Sequence, residues 1–370
     1  MLERYGHGGD LRTAEEAFGR SQDQFLDFSS NMNPLGPPSV VEHIVTTEWR
    51  DMVQYPDPAV RELRRKLAHK YDIPMESIAV GNGAAELIDL IARVLQSPVT
   101  GLARPSFSEY EEAIHKAGGD IHSIPLHAHY HFDLQEDDVK KALLSSDVLF
   151  LGHPNNPTGR LIPPAILKQI TESGRKLIVD EAFMDFVPDE RKHSMLKFAS
   201  TSSNVFVIRS MTKFFSIPGI RLGFMVAHPD WIQRIQELQV QWSVNYLAQR
   251  IGAAVLDDVE FEQASRQWLQ AEQIWLMGQL QQLGLEVTPS AVNFLLFSFP
   301  QELGFDVKQA QRHMGKQGIL IRDASLFEGL DQRFCRVAIK LREDNERLVQ
   351  GLRAMMQELA GDRSRGNDHG

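Results

Sequence analysis

The sequence predicts an α/β fold with a mostly parallel sheet, followed by a smaller α+β domain. Short and nearly all-apolar runs alternate with amphipathic stretches between residues 78 and 226. Such runs are typical of strands covered on both faces, and their alternation with helices is typical of parallel sheets. The 370 residues allow about two domains. Longer helical stretches after residue 231 indicate the second domain.

The elements follow in order along the chain. The strands predicted for the α/β part are Ile78–Val80, Val99–Ala103, Val148–Leu151, Leu177–Val179, Val205–Ile208 and Leu222–Val226, with helices at Glu86–Leu95 and Glu109–Ala117. The C-terminal part is predicted as helix Phe261–Leu283, β-like runs Asn293–Phe297, Gly318–Arg322 and Val337–Lys340, and helix Asp344–Leu359. We divide the chain into a segment 1–45 that joins the small domain, a large domain 46–245, a small domain 246–360, and a polar, disordered tail 361–370.

Composition excludes several classes of protein. The chain has 39 Lys plus Arg against 49 Asp plus Glu, and this net charge of −10 argues against a nucleic-acid-binding role. The single Cys335 excludes an intramolecular disulfide and a cysteine-rich metal site. No apolar run approaches the roughly 18 residues of a membrane span, and the N-terminus has no apolar signal-peptide region. We therefore expect a soluble cytoplasmic protein that binds neither nucleic acid nor membrane.

Two motifs place a polar loop directly after a predicted strand. Gly81–Glu86 opens a helix, where glycines and free backbone amides suit an anion, although a plain strand-to-helix turn is the alternative. His153–Gly159 contains two prolines and a glycine, which would hold an asparagine amide at the carboxyl end of a strand. A turn-rich surface loop is the alternative for this second motif.

Two further motifs carry charged groups. Asp180 ends a strand, where it could hold a cationic ring nitrogen or a metal, or simply cap a helix. Lys213 has the hydroxyls of Ser210 and Thr212 beside it and Arg221 nearby, which suits an imine-forming amine next to a phosphate. A solvated lysine on a turn is the alternative. Four motifs in one order, each at the C-terminal end of a separate strand, are hard to assign to chance.

The residues PNNPTG, DEAF, SMTK and PGIRLG resemble the aspartate-aminotransferase superfamily, the fold-type I enzymes that use pyridoxal 5′-phosphate. The resemblance implies a seven-stranded type of sheet, with Lys213 as the covalent cofactor attachment and general acid/base at the substrate's Cα. It implies that Asp180 pairs with the pyridinium nitrogen and that Asn156 bonds the ring's O3′. Phe183 stands where many relatives carry tyrosine, so one O3′ donor is missing. The other implied cofactor contacts are Phe107 on the ring face, Gly83, Ala84, Ser210, Thr212 and Arg221 at the phosphate, and Tyr55 from the neighbouring subunit of a homodimer.

The N-terminal run narrows the resemblance. His7-Gly8-Gly9 and Asp27–Gly36, together with Asp180–Phe186 and Phe334–Ile339, are similar to the threonine-phosphate decarboxylases of cobalamin biosynthesis. This resemblance implies decarboxylation of L-threonine O-3-phosphate to (R)-1-amino-2-propanol O-2-phosphate. Histidinol-phosphate aminotransferases share the NPLG run and are the alternative. The implied substrate-binding residues are His7, Gly8, Asn31, Asn156, Arg322 and Arg336.

The alternating residues His127, His129 and His131 have a spacing that a metal could use on a strand. No acidic or cysteine partner is positioned nearby in the sequence. We expect a polar, solvent-facing strand edge and no metal site.

Overall fold

A computed structural model describes residue 2 and residues 8–366 of the chain, with side chains up to residue 359. His7, one of the predicted substrate-binding residues, lies outside the described residues. The chain divides into two units. The larger unit is formed by Leu35–Asn156 and Arg160–Arg266, and the smaller by the chain up to Pro34, Pro157–Gly159 and the chain from Gln267.

The larger unit is built around a sheet of seven strands. The strands are β2 (Ile78–Gly81), β3 (Val99–Arg104), β4 (Asp120–Pro125), β5 (Val148–Gly152), β6 (Lys176–Asp180), β7 (Val205–Ser210) and β8 (Gly223–Val226). Their order is β2-β8-β7-β6-β5-β3-β4, and β8 alone runs antiparallel to its neighbours. The predicted α/β class and mostly parallel sheet are therefore confirmed.

The burial of each strand explains why six strands could be predicted and one could not. All residues of β5 are buried, as are all residues of β2, β7 and β8, and each of these strands contains an uninterrupted apolar run. β4 lies at the edge of the sheet and is mostly exposed or half-buried. Its sequence DIHSIP lacks the apolar run that the prediction used.

Helices cover this sheet. The larger unit contains α2 (Ser39–Thr47), α3 (Arg61–Tyr71), α4 (Ala84–Leu95), α5 (Ser108–Lys116), α6 (Glu136–Ser145), α7 (Pro164–Glu172), α8 (Leu196–Thr201), α9 (Pro229–Leu238) and α10 (Tyr246–Val255). One core cluster packs the apolar faces of α4 and α5 against the sheet, through residues such as Leu87, Ile91 and Phe150. α4 begins shortly after β2 ends, and α5 begins shortly after β3 ends.

The smaller unit has two small sheets. Its elements are α1 (Leu11–Phe18), β1 (Leu26–Asp27), β9 (Glu286–Val287), β10 (Phe294–Ser298), α12 (Val307–Lys316), β11 (Ile319–Leu320), β12 (Arg322–Asp323), β13 (Phe334–Ala338) and α13 (Arg342–Gly366). β1 pairs with β11, and the other strands form a four-stranded sheet in the order β12-β13-β10-β9. The division between the units falls within α11 (Val259–Gln282). Cys335 is buried in β13.

The observed divisions differ from the sequence-based boundaries at 45 and 245. They fall after Pro34 and after Arg266, because α10 packs against α2 and α3 in the larger unit. Arg250 of α10 forms ion pairs with Glu48 at 2.8 Å and with Glu62 at 2.7 Å. The last helix continues to Gly366, so the expected disordered tail from 361 is helical over its first residues.

The three alternating histidines do not lie on a strand. His127, His129 and His131 are exposed around a short 3-10 turn, not on a strand, because the preceding strand ends at Pro125. The described residues contain no cluster of His, Cys, Asp or Glu that could hold a metal. Within the same residues, no helix combines the length and apolar character needed to cross a membrane.

Candidate active site

The sheet of the larger unit brings the four sequence motifs together at the carboxyl ends of its parallel strands. Gly223 is opposite Gly81 on one side and opposite Ser210 on the other, and Gly152 is opposite Asp180. These residues begin β8 or end the strands that run parallel to one another. The loops that carry the motifs therefore start side by side, where ligands of open α/β sheets bind.

Gly83 and Arg221 form a cradle at the start of α4. Gly83 has a φ of +84°, which favours glycine, and a Cβ on it would lie 2.5 Å from Nη2 of Arg221, so a side chain here would displace that guanidinium. The backbone amide of Ala84 lies at the N-terminus of α4, where the helix dipole favours an anion. A guanidinium beside a helix N-terminus is suited to binding a phosphate.

Two hydroxyls lie next to the candidate lysine. Ser210 and Thr212 are buried, and their side-chain oxygens are 2.8 Å apart. Lys213 is half-buried in the turn that follows β7. The amide of Ile217 donates to the carbonyl of Thr212 at 3.0 Å, which closes this turn. The position of the lysine backbone is therefore fixed by the turn.

Asp180 is a buried carboxylate with neutral partners. Its Oδ2 accepts a hydrogen bond of 2.6 Å from the hydroxyl of Tyr110, and its Oδ1 accepts one of 2.9 Å from the amide of Ala182. Burial raises the pKa of Asp180, although both hydrogen bonds act in the opposite direction. Among the described residues, Asp180 forms no ion pair with a cationic side chain. A buried charge without a cation is costly, so this site fits a cationic ligand group.

The neighbouring Glu181 has a different environment. Its carboxylate accepts from Nε of Arg209 at 2.9 Å, from the hydroxyl of Ser194 at 2.8 Å and from the amide of Met195 at 2.6 Å. Arg209 is fully buried and also donates to Asp185 at 3.1 Å and to Glu190 at 2.8 Å. Burial alone would lower the pKa of Arg209, but these carboxylates outweigh it and the pKa is raised.

The loop after β5 is held by its first residues. The amide of His153 donates to the carbonyl of Asp180 at 2.8 Å, and Nδ1 of His153 accepts from the amide of Ile162 at 2.9 Å. This tautomer leaves the hydrogen on Nε2, which lies 3.1 Å from the carbonyl of His193. Burial lowers the pKa of His153 to about 4. The histidine is therefore a neutral brace for the loop.

Asn155 and Asn156 have different roles in the loop. Nδ2 of Asn155 donates to the carbonyl of Pro105 at 3.0 Å, which ties the loop to the turn that carries Phe107. Asn156, the predicted partner of the ring oxygen, is half-buried beside it. Phe107 is also half-buried, and its ring meets the ring of Tyr110 edge-on, with centroids 5.6 Å apart.

The predicted substrate residues that the structure describes lie in the smaller unit, except Asn156. Arg322 and Arg336 are directly opposite each other on β12 and β13, and both are buried. Opposite residues of an antiparallel pair share a face of the sheet. Both guanidinium carbons lie over the ring of Phe327, at 5.5 and 5.9 Å from its centroid. Two like charges on one buried face fit an anionic ligand.

Gly8 and Asn31 belong to the surroundings of Arg336. Nη2 of Arg336 donates to the carbonyl of Ser29 at 2.9 Å, and a Cβ on Gly8 would lie 2.2 Å from that carbonyl oxygen. Asn31 is buried, and its carbonyl accepts from Nδ2 of Asn293 at 3.1 Å. Its Oδ1 has no hydrogen-bond partner in the described part of the chain. A buried amide oxygen of this kind is suited to a ligand.

Two predicted positions lie at the exposed surface. Tyr55 is 82% exposed, and its ring lies 5.0 Å from that of Trp242. Arg221 is exposed beside Gly83. Phe183 is buried.

Sequence reasoning missed four residues that organise this region, namely Tyr110, His153, Asn155 and Arg209. One signal was available for Arg209, a charged residue that directly follows the apolar run Val205–Ile208 within the same strand. A charge in a strand buried on both faces needs a buried partner. Tyr110 gave no comparable signal, because its partner is 70 residues away in the sequence.

Taken together, the larger unit offers a lysine, a buried carboxylate without a cation, and a cradle for a phosphate. These groups fit pyridoxal phosphate, whose ring nitrogen is basic and whose phosphate is dianionic. Gly83 and Asp180 make the fit specific, since one provides space beside Arg221 and the other provides an unneutralised negative charge.

Known proteins resemble the chain over most of its length. The sequence pattern of the family described as aminotransferase class I and II matches residues 23–352. The threonine-phosphate decarboxylase of Salmonella typhimurium is 36% identical over 360 residues, covering 96% of this chain and 97% of that protein. The histidinol-phosphate aminotransferase of Oleidesulfovibrio alaskensis is 31% identical, covering 95% of this chain and 92% of that protein.

A solved structure is similar as well. The crystal structure of the histidinol-phosphate aminotransferase from Clostridium acetobutylicum matches with a TM-score of 0.84 and 28% identity. The match covers 90% of this chain and 99% of the other.

Proposed function

The chain belongs to the aminotransferase class I and II family, and we propose that it is a pyridoxal phosphate-dependent decarboxylase of L-threonine O-3-phosphate. The product is (R)-1-amino-2-propanol O-2-phosphate, an intermediate of cobalamin biosynthesis. The observation that carries the cofactor assignment is the buried carboxylate of Asp180, whose partners are both neutral. The similarity to the Salmonella typhimurium decarboxylase supports the reaction.

Each cofactor-binding residue has a defined role. Lys213 attaches the cofactor covalently, Asp180 holds a proton at the ring nitrogen, and Arg221 binds the phosphate. When bound, pyridoxal phosphate supplies an electron sink for the pair of electrons that carbon dioxide leaves at the substrate's α-carbon. Nζ of Lys213 then delivers a proton to that carbon. Gly83, Ala84, Ser210 and Thr212 complete the phosphate contacts, Asn156 donates to the ring oxygen and Phe107 covers the ring face.

The arginine pair binds the substrate's acidic groups. L-threonine O-3-phosphate carries one carboxylate and one phosphate, and planar guanidinium groups bind both kinds of anion through paired hydrogen bonds. Arg322 and Arg336 are buried opposite each other, so two anionic groups of one substrate match two adjacent cations. Asn31, Gly8 and His7 add contacts from the N-terminal segment.

Histidinol-phosphate aminotransferase is the second candidate. Histidinol phosphate carries an amine and a phosphate but no carboxylate. The 31% identity to the Oleidesulfovibrio alaskensis enzyme and the fold of the Clostridium acetobutylicum enzyme favour this candidate. The two reactions differ in the bond broken at the α-carbon, so an assay separates them directly.

The test is a paired assay on the purified chain with added pyridoxal phosphate. One arm supplies L-threonine O-3-phosphate without a keto acid and follows carbon dioxide. The other arm supplies histidinol phosphate with 2-oxoglutarate and follows glutamate. The Lys213→Ala variant serves as the control in both arms, because it lacks the amine that either reaction needs. We expect carbon dioxide in the first arm, none from the variant, and no glutamate above that control in the second. Glutamate without carbon dioxide would assign the chain to the aminotransferases.

We also infer a homodimer in which Tyr55 reaches the cofactor phosphate of the neighbouring subunit. Exposed large apolar residues support this inference. Trp49, Met52 and Val53 are 51%, 50% and 89% exposed, and Tyr55 contacts Trp242 beside them in the larger unit. An apolar surface of this kind is typical of an interface. That the enzyme works in the cytoplasm stays a prediction.

A pair of charge substitutions tests the dimer. Val53→Glu lies within the exposed patch, whereas Leu144→Glu lies elsewhere and is similarly exposed, at 85% against 89%. We expect light scattering to report a dimer for the wild type and for Leu144→Glu, and a weakened dimer with a lower cofactor affinity for Val53→Glu. Equal masses and equal cofactor affinities for all three proteins would contradict the assignment of the interface.

A further inference from the structure

We propose that Tyr110 is a positioning residue, which holds the carboxylate of Asp180 in place as an ionised acceptor for the cofactor's ring nitrogen. The inference rests on the proposed cofactor, but not on the choice between decarboxylation and transamination. Tyr110 lies outside the four sequence motifs, and a single short contact joins it to Asp180.

That contact is a hydrogen bond of 2.6 Å from the phenol of Tyr110 to Oδ2 of Asp180. Hydrogen bonds to a carboxylate are shorter and stronger than those between neutral groups. Tyr110 is 2% exposed and Asp180 is 6% exposed, so water does not compete at this contact. The amide of Ala182 donates to Oδ1, so each carboxylate oxygen receives one bond from the protein. A carboxylate has about four lone-pair sites, and the remaining ones are available to a cation.

The ring of Tyr110 cannot easily turn its hydroxyl elsewhere. It stacks on Phe150, with centroids 4.2 Å apart and an angle of 22° between the rings. Its other neighbour is Phe107, which meets it edge-on. Phe150 belongs to β5, and Asp180 ends the adjacent β6. The phenol is therefore aimed at Asp180 by the sheet and by the start of α5.

The same helix start links the two groups that would contact the cofactor ring. Phe107 immediately precedes α5, and the amide of Tyr110 donates to the carbonyl of Phe107 at 3.3 Å. Phe107 is the proposed ring-stacking residue, and Tyr110 holds the proposed partner of the ring nitrogen. The first turn of α5 therefore positions both Phe107, which would stack on the cofactor ring, and Tyr110, which holds the proposed partner of the ring nitrogen.

Electrostatics also indicates that Tyr110 affects the ionisation of Asp180 and does not only fill space in the core. Burial raises the pKa of Asp180, and the bond from Tyr110 opposes that rise. Burial and the nearby Asp180 raise the pKa of Tyr110 well above its usual value, so the phenol keeps its proton and stays a donor. Tyr110 is the titratable side chain that contacts this carboxylate among the described residues.

The test uses Tyr110→Phe with Tyr71→Phe as the matched control. Tyr71 is also buried, and its phenol lies 3.4 Å from the carboxylate of Asp185. Both substitutions remove one buried hydroxyl and keep the ring, but only the first acts on Asp180. The first readout is infrared titration of the cofactor-free chain, with the Asp180 band identified by its absence in Asp180→Asn. This readout requires neither cofactor nor turnover.

We expect Tyr110→Phe to raise the pH at which Asp180 takes up a proton by about one to two units, because a hydrogen bond to a charged group is lost. Tyr71→Phe should leave that midpoint unchanged. In the loaded enzyme, Tyr110→Phe should lower kcat by about tenfold to a hundredfold with KM for substrate nearly unchanged. An unshifted Asp180 titration would overturn the proposal, whichever reaction the enzyme catalyses.

A second variant covers the case in which Tyr110→Phe does not fold. Replacement of Tyr110 by 3-fluorotyrosine keeps the phenol and nearly the same shape but makes it a stronger donor. We expect the protonation midpoint of Asp180 to move downward, opposite to the shift in Tyr110→Phe. A midpoint equal to that of the wild type would count against the proposal.

Discussion

Asp180 and Glu181 are consecutive and both buried, yet their surroundings differ in kind. Glu181 faces Arg209 at 2.9 Å, within a network that also includes Asp185 and Glu190. Asp180 faces a phenol and a backbone amide. One carboxylate is neutralised by the protein itself, and the other is hydrogen-bonded but not neutralised. At the end of β6, a carboxylate paired with an arginine therefore lies next to one whose partners are neutral.

This difference shows how a buried acid can be assigned a role. Both residues have a raised pKa from burial, so burial alone does not separate them. The partners separate them, because a network with its own cation is complete without a ligand. A carboxylate that is hydrogen-bonded but has no cation can still accept a cationic ligand group. The comparison predicts opposite consequences for neutralising each acid.

The largest effect on catalysis is expected for Asp180→Asn. The amide cannot hold a proton at the cofactor's ring nitrogen, so kcat should fall roughly a hundredfold to a thousandfold. The free energy of unfolding of the cofactor-free chain should fall by no more than about 1 kcal/mol, because a buried charge is removed along with one acceptor. Steady-state kinetics and urea unfolding measure the two quantities. An unchanged kcat would mean that another group protonates the ring.

Arg209→Met should do the reverse and act mainly on stability. The substitution leaves three carboxylates without their shared cation, and breaking a buried ion pair from one side costs about 3–5 kcal/mol. Urea unfolding of the cofactor-free variant would measure this loss. Glu181→Gln is the milder companion, since it keeps an acceptor for Ser194 or Met195. A stable Arg209→Met protein would show that the network is not structural.

His153 should make the free energy of unfolding depend on pH, by about 2 kcal/mol. Its pKa is lowered from 6.5 to about 4 by burial, so the unfolded chain takes up a proton first as the pH falls. The stability due to this histidine is complete above pH 6.5 and is lost as the pH falls toward 4. Between pH 7 and pH 5, this group alone should lower the free energy of unfolding by about 2 kcal/mol.

The His153→Asn variant isolates that contribution. The Asn side chain can still accept from the amide of Ile162, but it does not titrate. The difference in unfolding free energy between pH 7 and pH 5 should therefore be smaller in the variant than in the wild type. Equal pH dependence in both proteins would refute the neutral-brace assignment.

The smallest effect is expected at the phosphate cradle. Gly83→Ala forces a methyl group into the 2.5 Å approach to Arg221 and imposes strain at a φ of +84°. We expect the affinity for pyridoxal phosphate to fall about tenfold, because the guanidinium must move away from the start of α4. Gly219→Ala is the control, since its Cβ would meet nothing within 4 Å. Fluorescence titration with the cofactor compares the two, and equal affinities would contradict the cradle.

The sequence predicted the parts of this architecture that depend on local pattern. Continuous apolar runs identified every buried strand of the large sheet, and turn residues after them identified the motifs. The edge strand at Asp120–Pro125 was missed because an exposed strand needs no apolar run. Tyr110 and Asn155 were missed for another reason. Their partners, Asp180 and Pro105, are 70 and 50 residues away, and no local pattern encodes such contacts.

The protonation state of the bound cofactor would distinguish the roles of the two carboxylates most directly. Pyridoxal phosphate labelled with nitrogen-15 would be bound to the wild type, to Asp180→Asn and to Glu181→Gln, and the chemical shift of the ring nitrogen would be recorded. We expect a protonated nitrogen in the wild type and in Glu181→Gln, and an unprotonated one in Asp180→Asn. An unprotonated nitrogen in the wild type, or one that is insensitive to Asp180→Asn, would contradict the distinction between the two carboxylates.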